Sequence, residues 1–142
     1  MHTSFSRGAT ALFFAALATA LLAGCKTPAD TNPAWLTADT KAFVVHSVNY
    51  FPTQNANDYN NQIVVIDVTY NNTDPIPQIM RPSKFVLIDQ NTLAQYHALD
   101  GGDIHVPSFG AGGTLDPGKT LDLSLGFRVP SGMTSAHLSY SP

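Results

Sequence analysis

Residues 120–129 read TLDLSLGFRV. Leu121, Leu123, Leu125, Phe127 and Val129 occupy every second position, with Thr120, Asp122, Ser124, Gly126 and Arg128 between them. Successive side chains of a strand point to opposite faces, so five apolar groups share one face; a helix would scatter them around its circumference. A strand patterned this way packs on one side and meets water on the other.

The same period runs upstream. Phe43–Tyr50 (FVVHSVNY) is a first strand, and Ile63–Tyr70 (IVVIDVTY) a second, with Val64, Ile66, Val68 and Tyr70 on one face. Ile76–Met80 carries Pro77, which has no amide hydrogen for a ladder, and reads as an edge strand or an irregular crossing. Lys84–Asp89 turns through Gln90–Leu93 into Ala94–Ala98 as a hairpin, and Ala136–Tyr140 closes the chain with Leu138 and Tyr140 in phase. No stretch after Thr40 repeats with the 3.6-residue period of an amphipathic helix. About seven short strands separated by turn signals predict an all-β, two-layer antiparallel sandwich over 41–142.

The punctuation between strands is more specific than the strands. Val68-Thr69-Tyr70-Asn71-Asn72-Thr73-Asp74-Pro75-Ile76 resembles a signature of strand, Asn, turn, Pro and apolar residue. Phe85-Val86-Leu87-Ile88-Asp89 followed by Tyr96 resembles a Phe-x-Leu-x-Asp…Tyr hairpin, and Leu115-Asp116-Pro117-Gly118 a Leu-x-Pro-Gly turn. Phe127-Arg128-Val129-Pro130 and Leu138-Ser139-Tyr140 resemble the closing strands. In this order the elements resemble a bacterial family of unknown function, the immunoglobulin-like domains of secreted proteins and lipoproteins related to the immunoprotective extracellular proteins of mycobacteria. The resemblance covers about 41–141 and implies an immunoglobulin-like β-sandwich; it brings no catalytic residues. Where the family hairpin carries Gly after its Asp, this chain reads Asp89-Gln90-Asn91-Thr92, and Asn tolerates the positive φ such a turn needs.

The amino terminus states an address. Arg7 is followed by the uncharged run Gly8–Gly24, which ends in small residues. That is the layout of an export signal. Leu22-Ala23-Gly24-Cys25 resembles the lipobox of bacterial lipoproteins, which implies cleavage between Gly24 and Cys25 and a diacylglyceryl group on the Cys25 thiol. Residues 1–24 are thus read as signal peptide and 25–40 as a lipidated start and tether. Lys26–Thr40 (KTPADTNPAWLTADT) is rich in Thr and Pro and reaches about 50 Å when extended. Trp35-Leu36 within it docks on the domain or sits at the lipid interface. Lys26 after the lipidated cysteine implies, in a Gram-negative cell, the outer membrane.

Composition narrows the remaining functions. All ten acidic residues are Asp, and with seven Lys and Arg the formal charge is −3, which gives nucleic acid no basic surface. The single cysteine allows neither an internal disulfide nor a CxxC pair. Gly113–Thr120 (GTLDPGKT) matches the phosphate-loop pattern letter by letter. Yet Thr120 opens a strand instead of a helix, Pro117 lacks an amide donor, and Asp116 repels phosphate; a Pro-Gly type II turn fits better, and no nucleotide is expected. His46, His97, His105 and His137, with Met80 and Met133, leave a copper or zinc protein as an alternative, although no two have local ligand spacing. Asp100-Gly101-Gly102-Asp103 lacks the further acidic ligands of a calcium loop. A hydrolase on a β-scaffold rests only on the Asp count; there is no GxSxG. The candidate contact surface is the Asn-rich loop Pro52–Asn61, with Asn55, Asn57, Tyr59 and Asn60. The expectation is a lipid-anchored envelope protein without catalytic or cofactor residues, a binding or structural module partnered by the membrane and another envelope protein.

Overall fold

In the computed structural model, residues 33–110 and 112–142 are described. Nine strands follow in order: β1 (Leu36–Ala38), β2 (Phe43–Pro52), β3 (Asn61–Asn71), β4 (Gln78–Ile79), β5 (Phe85–Asp89), β6 (Gln95–His97), β7 (Thr114–Leu115), β8 (Thr120–Pro130) and β9 (Ala136–Tyr140). One sheet has the order β2-β3-β8, a second β1-β9-β5-β6, and β4-β7 forms a short ribbon. Every pairing is antiparallel except β1 on β9. The described residues form an all-β sandwich, as the period-two pattern predicts.

The register explains why the layers close. Val64, Ile66 and Val68 of β3 lie opposite Phe127, Leu125 and Leu123 of β8. Leu87 of β5 lies opposite Leu138 of β9. These side chains fill one buried cluster together with Phe43, Val45, Tyr70, Phe85 and Val129. Each fully buried side chain of this size stabilises the fold by about 1.5–3 kcal/mol, with no disulfide to assist.

The two strands beyond the seven expected are short. β7 pairs only with β4, so the Pro77 segment is an edge ribbon. β1 falls within the stretch read as tether: Leu36 is buried and Ala136 N donates to Trp35 O at 2.7 Å. Trp35-Leu36 therefore docks on the domain, and the folded unit begins before residue 41.

Two further differences have local causes. Ile63 and Val65, on the outer face of β3, are buried beneath Val106 of the 99–113 connection. β3 is thus covered on both faces at its start, which period-two reasoning cannot foresee. Gly126 lies under the same cap: a Cβ there would meet Val106 Cγ1 at 2.9 Å. In the 90–93 turn it is Leu93, not Asn91, that takes positive φ (62°). The Asp89 carboxylate accepts from the Asn91 and Thr92 amides and fixes those residues first, passing the left-handed position to Leu93. At Pro117-Gly118 the expected type II turn forms, with Gly118 φ at 71° and Lys119 N donating to Asp116 O at 3.1 Å.

Candidate functional site

The register of β2, β3 and β8 brings Pro52, Gln62 and Val129 side by side. The 53–60 loop therefore crowns one end of the sandwich. Trp35, the 90–93 turn and the 131–135 turn reach the same end, because Leu36 and Asp89 both pair with Ala136. A groove of about 620 Å³ opens there, lined by residues of β2 and β3, the 53–60 loop and Ser131.

The loop is built by side chains bonding to nearby backbone. Asn55 Oδ1 accepts from Asn57 N at 3.0 Å, and Asp58 N donates to Asn55 O at 2.9 Å. Asp58 accepts from Asn61 Nδ2 at 2.7 Å and pairs with Arg128. Asn61 first, then Arg128, hold its carboxyl below the ordinary Asp range. The loop is also tied from behind. Asp103 accepts from the amides of His105 (3.0 Å) and Gln54 (2.9 Å), which depress its pKa in that order. The His105 ring stacks on Phe51 with centroids 4.7 Å apart. The Asp100–Asp103 stretch, weighed as a calcium loop, thus works as a backbone clasp, with Asp100 accepting from Phe109 N.

Two aromatic rings face solvent here. Tyr59 is 81% exposed and Tyr50 48%. Tyr50 packs against Trp35, centroids 5.9 Å apart; burial raises its pKa, and a hydrogen bond from Trp35 partly offsets the rise. Of the residues expected to make contacts, Asn55 and Tyr59 line the groove. Asn57 and Asn60 are not among its lining: Asn57 closes the Asx turn from outside, and Asn60 O is taken by Ser131 N. Gly24 and Cys25, the expected cleavage and lipidation residues, lie outside the described residues. Tyr50, Phe51, Gln62 and Ser131 complete the groove and were not foreseen. A signal for Gln62 existed: it is in phase with Val64 and Ile66, so a polar group there points between the layers at their mouth.

The alternatives find their residues dispersed. The rings of His97 and His137 engage Ser83 O and Thr37 Oγ1, while His46 Nε2 lies 2.8 Å from Thr69 Oγ1 on the outer face of the β2-β3-β8 sheet. Among the described residues no three His, Cys, Asp or Glu side chains gather as metal ligands. Asp58 is the one carboxylate of the groove lining. Asp67 and Asp122 accept hydroxyl bonds on the outer sheet face, from Ser47 and Ser124 and from Thr69 respectively.

These features define a two-layer β-sandwich with an open, largely uncharged groove at one end. The model of the family described as Domain of unknown function (DUF4352) matches residues 36–142, and the chain belongs to that family. Its match begins at Leu36, where β1 begins. Neither a curated protein nor a solved structure matches the chain.

Proposed function

We propose that the chain is a lipid-anchored protein of the bacterial cell envelope, and that its sandwich, of immunoglobulin-like type, is a non-catalytic binding module. The anchor is the acylated Cys25 thiol behind the Leu22-Ala23-Gly24 signal end. Two acyl chains or more hold a protein on a bilayer stably, whereas one does so marginally. With Lys26 next to the cysteine, the destination in a Gram-negative cell is the outer membrane, and the partners are the membrane and a second envelope component.

The observation that carries the binding reading is the groove at the 53–60 loop. Its walls are aromatic rings, amides and hydroxyls, and its single carboxylate is already engaged by Asn61 and Arg128. Such a surface holds a ligand without a base, a nucleophile or a pair of acids to transform it. Fractionating cells that express Cys25→Ala tests the anchor. The variant is expected in the soluble fraction or as unprocessed precursor, and a distribution identical to the parent's would overturn the lipid reading.

A further inference from the structure

We propose that this groove takes an uncharged oligosaccharide. The proposal deepens the binding-module reading by naming the class of ligand, and three features of the lining converge on it.

The first is the rings. Tyr59 and Tyr50 are exposed in the groove lining, where each exposed aromatic surface forgoes burial that the fold supplies elsewhere. A pyranose ring has flat apolar C–H faces that lie on such rings. The second is the hydrogen-bonding set. Asn55, Asn61 and Gln62 carry amides, and Thr53 and Ser131 hydroxyls; Asn55 Oδ1, Asn61 Nδ2 and the Thr53 hydroxyl also bond within the loop, which leaves their other lone pairs and protons for a ligand. Amides and hydroxyls each both donate and accept, which matches sugar hydroxyls that do the same. Among the described residues neither the Gln62 side-chain amide nor the Tyr59 hydroxyl makes a hydrogen bond, so both have bonding capacity to offer.

The third is charge. Asp58 is the only charged residue of the lining, and its nearest cation, Arg128, is already paired with it. The groove therefore offers no free guanidinium or ammonium to a phosphate, sulfate or carboxylate. Nor does it hold the two facing carboxylates that cleave a glycosidic bond, so the ligand is held intact. The volume of about 620 Å³ falls within the range of small-ligand clefts.

The test uses the full lipidated chain in a polyoxyethylene detergent, since glycoside detergents would themselves compete. Cellotetraose, maltotetraose and tetra-N-acetylchitotetraose are titrated against the fluorescence of Trp35, the single tryptophan, which packs on Tyr50. Saturable binding of at least one is expected, with Kd about 10 μM to 1 mM. Tyr59→Ala and Gln62→Ala should each weaken it about tenfold or more. Their thermal midpoints should stay at the parent's value, and Ile76→Ser at the opposite end should leave binding unchanged. Three results overturn the proposal: no saturation by any of the three sugars at about 10 mM, binding indifferent to Tyr59 and Gln62, or binding to phosphatidylcholine vesicles through the same residues in place of sugar. The titration reads the ligand and the Cys25→Ala fractionation reads the anchor. A chain that fails the first and passes the second keeps its place in the envelope and loses only this ligand.

Discussion

The two ends of the sandwich are made of similar residues used in opposite ways. At the end away from the groove, Asn72 is 0% exposed and makes five hydrogen bonds. Its Nδ2 donates to Ile76 O (2.9 Å) and Leu115 O (2.8 Å), and its Oδ1 accepts from Asp74 N (3.0 Å). Its own backbone bonds to Lys119 O and Gly118 N. Beside it Tyr70, Phe85 and Tyr140 pack ring on ring at 5.0–5.4 Å. The Tyr140 hydroxyl donates to Ile79 O, closing the β4 ribbon over the core. At the groove end, Asn55 and Tyr59 face outward, Gln62 is half-buried at the mouth between the layers, and Tyr50 stands half free. Asn and Tyr at one end weld turns together across the sandwich; at the other Asn55 closes its own loop and Tyr59 stays exposed.

The largest expected effect therefore falls at the welded end. Asn72→Ala would leave the carbonyls of Ile76 and Leu115 and the Asp74 amide without their partner, costing about 3–5 kcal/mol in urea unfolding. A loss below about 1 kcal/mol would mean that this hub does not hold the end together. Next comes Gly126→Ala, whose methyl group drives into Val106 and costs about 1–3 kcal/mol. Combining it with Val106→Ala should recover part of that loss, a coupling that a double-mutant cycle measures.

Acid should separate the ends. Asp58, Asp89 and Asp103 all lie at or beside the groove end, and each is held below the ordinary Asp range. For Asp89 the cause is the Asn91 amide, followed by Thr92. A depressed folded-state pKa contributes stability that is present above the unfolded value, near 4, and lost as pH falls through the folded value. Below about pH 4, amide exchange in the 53–60 loop, the 90–93 turn and the 100–106 stretch should therefore quicken before that of β3 and β8. Alkali should act most at the other end, where Tyr70 and Tyr140 are both raised, and at the groove only through Tyr50. Burial, then neighbouring Tyr140 and Asp74, push the Tyr70 phenol up to about 12. Stability from this raised value is intact below the unfolded pKa of about 10 and disappears as pH climbs through 12. Uniform loosening at both extremes would dissolve the distinction.

The smallest effect has the opposite sign. Leu93 sits at φ 62° with 75% of its surface exposed, so its side chain contributes little packing and its Cβ strains the backbone. Leu93→Gly should stabilise the chain by about 0.5–1 kcal/mol.

What was readable in the sequence follows the range of each interaction. β8 announces itself because it alternates over ten residues, long enough for period two to stand clear of chance, and β3 because it is an unbroken β-branched and aromatic run. The Pro117-Gly118 turn was legible because its geometry is set by those two residues alone. β1 and β7, at three and two residues, are shorter than any period and exist only through their partners. The Val106 cap depends on a connection folding back across a sheet, a contact separated from Ile63 by 43 positions in sequence that no local pattern encodes. The groove was half legible. Pro52–Asn61 stood out by composition, but Tyr50, Gln62 and Ser131 join it only once β2, β3 and β8 are in register.

The groove end is also the end at which Pro33 and Trp35 join the sandwich. That this domain hangs from a membrane by Cys25 is tested most directly by the intact mass of the chain extracted from cells. A polypeptide beginning at residue 25 with the added mass of a diacylglyceryl group is the predicted result. A chain still beginning at Met1, or starting at a bare thiol, contradicts it.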